Sequence, residues 1–273
     1  MVQTSHEIPL WDRCAAGRII DLAQPLEHGM PVSPNHPGYK MALQRRHGDM
    51  VRADGGSASN EMILLGGHTG THIDALCHVS HQGKLFGGVD AAGAQTGGRF
   101  RQMGVETIPL MFCRGVMLDI PALHGVQVLA PGMPITARDL EGACRRQGVE
   151  VRAGDAVLIR SGWPTHWKDT DTFVGHTHGV PGPDESAAAW LSDRRIRLTG
   201  AETIAYECIY PERGHALLPV HRMLLFEQGI HIIEVLNLTG LAEDGISEFL
   251  FVVTPLKVVG ATGVPVRPVA VVA

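Results

Sequence analysis

Apolar runs of strand length recur along the chain, each closed by Gly or Pro: "RIIDLA" (18–23), "EMILLGG" (61–67), "LMFCRGVMLDIP" (110–121), "DAVLIRSG" (155–162), "IRLTG" (196–200), "IHIIEVLNL" (230–238) and "EFLFVVTP" (248–255). Most lack alternation of apolar and polar positions, which predicts central strands covered on both faces. Helical patterns lie between them. "TARDLEGACRRQG" (136–148) offers Thr136 as N-cap, Asp139 at the acidic position of a capping box and Gly148 as a stop. "DESAAAWLSDRR" (184–195) starts acidic and ends basic, as the helix dipole favours. "PVHRMLLFEQG" (219–229) opens with Pro at N1 and stops at Gly229. A β-rich start followed by mixed strands and helices predicts an α/β fold: one compact domain over 1–273, a central mixed sheet with flanking helices. The glycine-bearing segments 28–40, 83–98 and 163–183 are long enough to be functional loops.

Composition narrows the field. A chain of 273 residues can bury roughly 75% of its unfolded surface around one core. With 44% apolar and 19% charged residues it is not a disordered chain. A net charge of −5 leaves no basic footprint for nucleic acid. No apolar run approaches the ~20 residues that cross a bilayer, and the N-terminal stretch lacks the basic-then-apolar order of a secretory signal. The five cysteines (Cys14, Cys77, Cys113, Cys144, Cys208) are odd in number and form no C-x-x-C pair, which predicts free thiols and a reduced, cytoplasmic setting.

The candidate chemistry sits in "HTGTHIDALCHVSH" (68–81), which holds four histidines and an aspartate. Gly66, Gly67 and Gly70 argue against a helix through His68 and His72, so this is not a zincin helix. A chain leaving the 61–65 strand can instead turn sharply and aim its side chains at one point. Two imidazoles and a carboxylate are donors that Zn²⁺ or Mn²⁺ accepts, with positions left for water. A single loop histidine is ordinarily solvated; four among small residues after an apolar run point to a metal site. Glu234, enclosed by Ile232, Ile233, Val235 and Leu236, needs a cation, a donor or a proton if its strand is buried. The plainer alternative is an ion pair with Arg222.

"HTGTHIDALCH" resembles the H-x-G-T-H-x-D-x-x-x-H motif of the cyclase family of metal-dependent hydrolases, which includes kynurenine formamidase, isatin hydrolase and cyclic imide hydrolases. "IIDLAQPLEHGMPVSPNHPGY", "GDAVLIRSGW", "AAAWLSDRRIRLTGAET" and "GIHIIEVLNL" resemble further family segments in the family's order. The resemblance implies a swivelling β/β/α fold, a homodimer or homotetramer, metal ligation by His68, His72 and Asp74, and His78 as general acid/base. It places Glu234 and His221 at a second metal position. His221 stands one residue further from Glu234 than the family pattern, from which a single tightly held metal is expected. Leu76 and Val79 replace the proline and phenylalanine of the formamidases, which points to the isatin and imide branch.

The expected activity is hydrolysis of a C–N amide bond in a small cyclic amide, imide or N-aryl amide, using water activated by Mn²⁺ or Zn²⁺. A lactonase or ring-closing cyclase with the same site, and a non-catalytic metal binder of cupin type, are the alternatives; the two helices speak against the cupin. Trp163, Trp167 and His178 are candidate substrate contacts from the 163–183 loop, with ordinary packing the alternative for the indoles. Glu207 and His215 read as surface residues, with support of the metal ligands from behind as the alternative. Cys77 reads as a buried thiol rather than a nucleophile.

Overall fold

The computed structural model describes residues 12, 15–211 and 213–272. Cys14 and most of the N-terminal stretch read for a signal lie outside the described residues.

Nine strands form one mixed sheet: β1 (Arg18–Asp21), β2 (His72–Asp74), β3 (Met111–Asp119), β4 (Ala156–Arg160), β5 (Leu198–Ala201), β6 (His231–Glu234), β7 (Glu248–Val253), β8 (Gly263–Pro265) and β9 (Val269–Val272). Their order across the sheet is β1-β9-β7-β3-β4-β5-β6-β2-β8. The central run β3-β4-β5-β6 is parallel, and the flanking pairs are antiparallel. Strand alternation sends the sheet's side chains into two of the three core clusters. Met117, Leu158, Ile73 and Ile233 enter one apolar layer. Val116, Leu118, Val157, Ile159 and Ile232 enter the other, beneath the helices.

The helices form where the local signals placed them. Helix α1 (Ala137–Gln147) carries the full Thr136–Asp139 capping box and stops at Gly148 in the left-handed conformation. Helix α2 (Glu185–Asp193) is capped by the Asp184 side chain. The third helical segment is α-helical over Pro219–His221 and continues as a π-helix over Arg222–Gln228 before Gly229. The chain is thus a single α/β unit with helices packed on a large mixed sheet, as its pattern predicts.

Two strand readings need correction. Arg18–Asp21 is an edge strand and largely exposed, because β1 has a neighbour on one side only. The run at 61–67 is not a central strand. Asn60–Leu64 pairs with Lys40–Arg45 in a separate antiparallel ribbon, and every residue of both strands is exposed. Nor do all the motif's ligand candidates lie in a loop: His72–Asp74 is a buried strand inside the sheet, and His68 sits in the turn before it.

Candidate metal centre

Register alone brings the first donors together. His72 lies directly opposite Glu234, and Ile73 opposite Ile233. Period-2 alternation then turns both isoleucines into one apolar layer and sends His72, Asp74 and Glu234 to the opposite, helix-covered face. The third helical segment lies on that face and delivers His221. Its π stretch separates His221 from Glu234, and a π turn takes up about one residue more than an α turn. His221 Nε2 nonetheless reaches the Glu234 carboxylate across it.

The donor atoms converge closely. His68 Nδ1 lies 2.8 Å from Asp74 Oδ1, and His72 Nε2 lies 3.6 Å from the same oxygen. His72 Nε2 is 3.4 Å from Glu234 Oε2. His221 Nε2 is 3.0 Å from Glu234 Oε1 and 3.8 Å from Asp74 Oδ2. His78 stacks on His68 with ring centroids 4.0 Å apart. Two metal-compatible groups emerge, His68–Asp74–His78 and Asp74–His221–Glu234, and Asp74 belongs to both.

Partners outside the cluster orient the rings. His72 Nδ1 donates to the Gly70 carbonyl at 2.8 Å, leaving Nε2 to face the centre. His221 Nδ1 donates to Glu207 Oε1 at 2.8 Å, with the same result. The Glu207 carboxylate also accepts from the backbone amides of Val220 and His221. Glu207 is therefore no surface residue; it is buried beneath the ligand candidate it orients. Thr71 Oγ1 donates to the Val235 carbonyl at 2.5 Å and accepts from the Gln24 amide at 2.8 Å. This bond ties the histidine motif to the residue after Glu234. Val235 is held at φ 58°, and Tyr206, before Glu207, at φ 54°. Such conformations cost roughly 1–3 kcal/mol each, so packing around the site holds both carboxylates in place. Gly263 serves close approach: a Cβ there would collide with the His68 ring.

Electrostatics define what the niche lacks. Both Asp74 oxygens are buried without a backbone or hydroxyl donor, and the nearest polar hydrogen carrier is His68 Nδ1, 2.8 Å from Oδ1. Burial opposes Asp74's charge, yet the surrounding imidazoles, His78 foremost among individual groups, hold its carboxyl well below the usual range. Burial lowers the His78 pKa to about 3, so it is neutral near pH 7. Burial also works against charge on His221 and His68, but Glu207 and Glu234 raise the first well above 6.5 and Asp74 raises the second. A buried carboxylate short of partners, ringed by imidazoles and a second carboxylate, fits a borderline divalent cation.

The other candidates separate cleanly. Trp163 is wholly buried and donates from Nε1 to the Phe173 carbonyl at 3.0 Å. Trp167 packs edge-on against Phe173. Both are core residues with no ring face open to a ligand, which corrects the substrate-contact reading. His178 is exposed and joins neither donor group. His215 is half-buried, and its environment includes the charges of Glu234 and His221. Arg222 lies 3.0 Å from Glu227 rather than pairing with Glu234. Burial pushes the Cys77 thiol up to about 12, as expected of an unreactive core cysteine. Glu202 escaped the sequence reading altogether. Wholly buried, it accepts from the Ser161, Gly162 and Leu238 amides at 2.7, 2.7 and 3.0 Å and so ties together the loops after β4 and β6. A carboxylate directly after a buried "LTGA" strand was the available signal.

This fold and donor set define a family: the chain belongs to the putative cyclases, whose profile matches residues 20–208. It is 27% identical over 250 residues to a kynurenine formamidase of Geobacillus thermodenitrificans, spanning 91% of this chain and 94% of the relative. It is 24% identical over 223 residues to an isatin hydrolase of Roseibium aggregatum, spanning 81% and 77%. The crystal structure of a novel cyclase superposes with a TM-score of 0.84 at 29% identity, covering 95% of this chain and 88% of that one. Among the described residues no helix is long and apolar enough to cross a membrane.

Proposed function

We propose that the protein is a metal-dependent amidohydrolase that opens a C–N bond in a small cyclic amide, imide or N-aryl amide. The observation that carries this reading is the buried, underpartnered Asp74 carboxylate at the meeting point of two donor groups. His68, His72, Asp74, His221 and Glu234 would hold the cation, and Mn²⁺ or Zn²⁺ suits their mixture of imidazole and carboxylate. A bound divalent cation supplies Lewis acidity that polarises an acyl oxygen and acidifies water.

The chain's own groups supply the rest. His78, stacked on His68 beside the donor atoms, takes a proton from the attacking water and returns it to the departing nitrogen, which is too poor a leaving group as an anion. Glu207 and the Gly70 carbonyl hold the Nε2 atoms of His221 and His72 toward the centre. Leu76 and Val79 pack partly against the helix-side core beside His78. Together with the isatin hydrolase relative, they favour the cyclic amide and imide branch.

Metal analysis of the purified protein, paired with a hydrolysis panel of isatin, an N-formyl aryl amine, cyclic imides, lactams and lactones, tests the reading. Stoichiometric metal with turnover of one amide or imide class is expected. Activity confined to lactones would assign the site to ester chemistry, and a metal-free protein with full activity would end the proposal.

A further inference from the structure

A cavity of about 750 Å³ borders the strand that carries His72, yet its lining holds neither His78 nor any of the ligand candidates. Its volume falls inside the roughly 300–1,000 Å³ of small-molecule sites. Thr71 forms one wall, Gln24 and Leu26 in the segment after β1 a second, and Pro265 and Val266 at the end of β8 a third. Leu256, 62% exposed, stands at the rim.

The chemistry of the walls selects an occupant. Gln24 is only 7% exposed. Its main-chain amide donates to Thr71 Oγ1 at 2.8 Å, but its Nε2 is enclosed with no hydrogen-bond partner among the described residues. A buried amide donor without an acceptor is costly, and here it belongs to the cavity wall. A carboxamide has nearly the same shape at both ends, so it can turn over and offer its protons to a carbonyl oxygen in the cavity. Asp21 and Arg267 are the charged residues of the lining, and they neutralise one another: Arg267 Nε and Nη2 lie 2.8 and 2.7 Å from Asp21 Oδ2. A carboxylate or ammonium group would find no free counter-charge there. Leu26, Pro265 and Val266 are apolar. The cavity therefore suits a small neutral molecule with an apolar body and a carbonyl acceptor, as a lactam or cyclic imide has.

Each wall also supports the metal centre. Thr71 Oγ1 donates to the carbonyl of Val235, the residue after Glu234, and the Thr71 carbonyl accepts from the Val266 amide at 2.9 Å. Pro265 lies directly opposite His72 in the β8–β2 pair. Leu26 fills the space over Gly70, where a Cβ would come within 2.6 Å of Leu26 Cδ2. The Gly70 carbonyl is the acceptor that orients the His72 ring. We propose that this cavity binds a neutral lactam or cyclic imide, and that the occupant fixes Gln24, Leu26 and Thr71 so that His72 and Glu234 hold the metal more tightly. The second half rests on the metal-site reading above; the first half does not.

Oxindole, an uncharged fused-ring lactam, is the probe, titrated into the purified full chain and followed by protein NMR. Gln24→Leu keeps the bulk and removes the donor, so it should weaken binding about fivefold or more. Leu256→Trp narrows the rim at a position already in water and should weaken it as well, with far-UV circular dichroism unchanged. A wild type that binds no oxindole up to its solubility limit overturns the proposal. So do folded variants that both bind as tightly as the wild type, and so does tighter binding of benzoate, an aryl carboxylate. With oxindole saturating, chelator competition should show Zn²⁺ held about fivefold more tightly or better, and Leu256→Trp should lose that gain. Unchanged metal affinity overturns the coupling, as does a gain that persists in Leu256→Trp and so arises at the metal itself. A protein that binds oxindole and no metal defeats the coupling and the metal-site reading together, and leaves the cavity site standing.

Discussion

Asn60–Leu64 and His231–Glu234 look alike in sequence: short, apolar, without alternation, and close to a histidine motif. One is exposed along its whole length and the other is buried along its whole length. The difference comes from their neighbours. β6 is enclosed by β5 and β2 within the sheet and lies under helices, whereas the ribbon strand has one partner and open water on both faces. Burial is thus a property of topology and not of the run. Where it is complete, the one carboxylate in the strand must be neutralised by something, and that requirement builds the site.

The sharpest way to break this contrast is through the carboxylate that shares the buried niche. Asp74→Ala should abolish bound metal and activity together, as should His72→Ala, and stoichiometric metal in either variant would show that the niche serves another purpose. His78→Ala should retain metal and lose about 10²–10⁴-fold in rate, the usual scale of acid/base catalysis. Because His78 lies within a ligand-compatible group, loss of metal in that variant would reassign it as a ligand.

Stability measurements address the two strands directly. Ile233→Ala empties space in a closed layer and should cost about 2–5 kcal/mol, whereas Ile63→Ala, at a half-exposed position, should stay within roughly 0.5 kcal/mol. Equal losses in denaturant titrations would erase the distinction. Glu207→Gln should weaken metal binding or turnover by about 10–100-fold, and Glu234→Gln by at least as much, with unchanged values removing each from the centre.

The smallest effect is a pH dependence. His68 and His221 have raised folded-state values, so the stability they contribute is fully present below 6.5 and declines as pH rises through those values. Histidines with lowered values, such as His78 and His231, change stability only at 6.5 and below. Thermal melts in chelator, between 6.5 and the ordinary cysteine value of 9.0, should therefore fall with rising pH. Metal should reverse that slope by displacing the two protons. A flat profile without metal would mean that these imidazoles are not held protonated.

Local rules carried far along this chain. The capping box at Thr136 and Asp139, the glycine stops at Gly148 and Gly229, and the acidic start of α2 were determined by the sequence, because each is a short-range hydrogen-bond or dipole effect within one turn. The donor types in the histidine motif were equally legible, since chemistry is carried by residue identity, and so was the predicament of a glutamate among isoleucines. Only the tertiary structure decided which apolar run is enclosed, because that depends on strands brought alongside from distant parts of the chain. It alone placed Glu207 under His221, through contacts thirteen and fourteen residues apart. It alone brought His221 to Glu234, because the segment between them runs in part as a π-helix, a form that packing selects over the α-helix that the local pattern predicts.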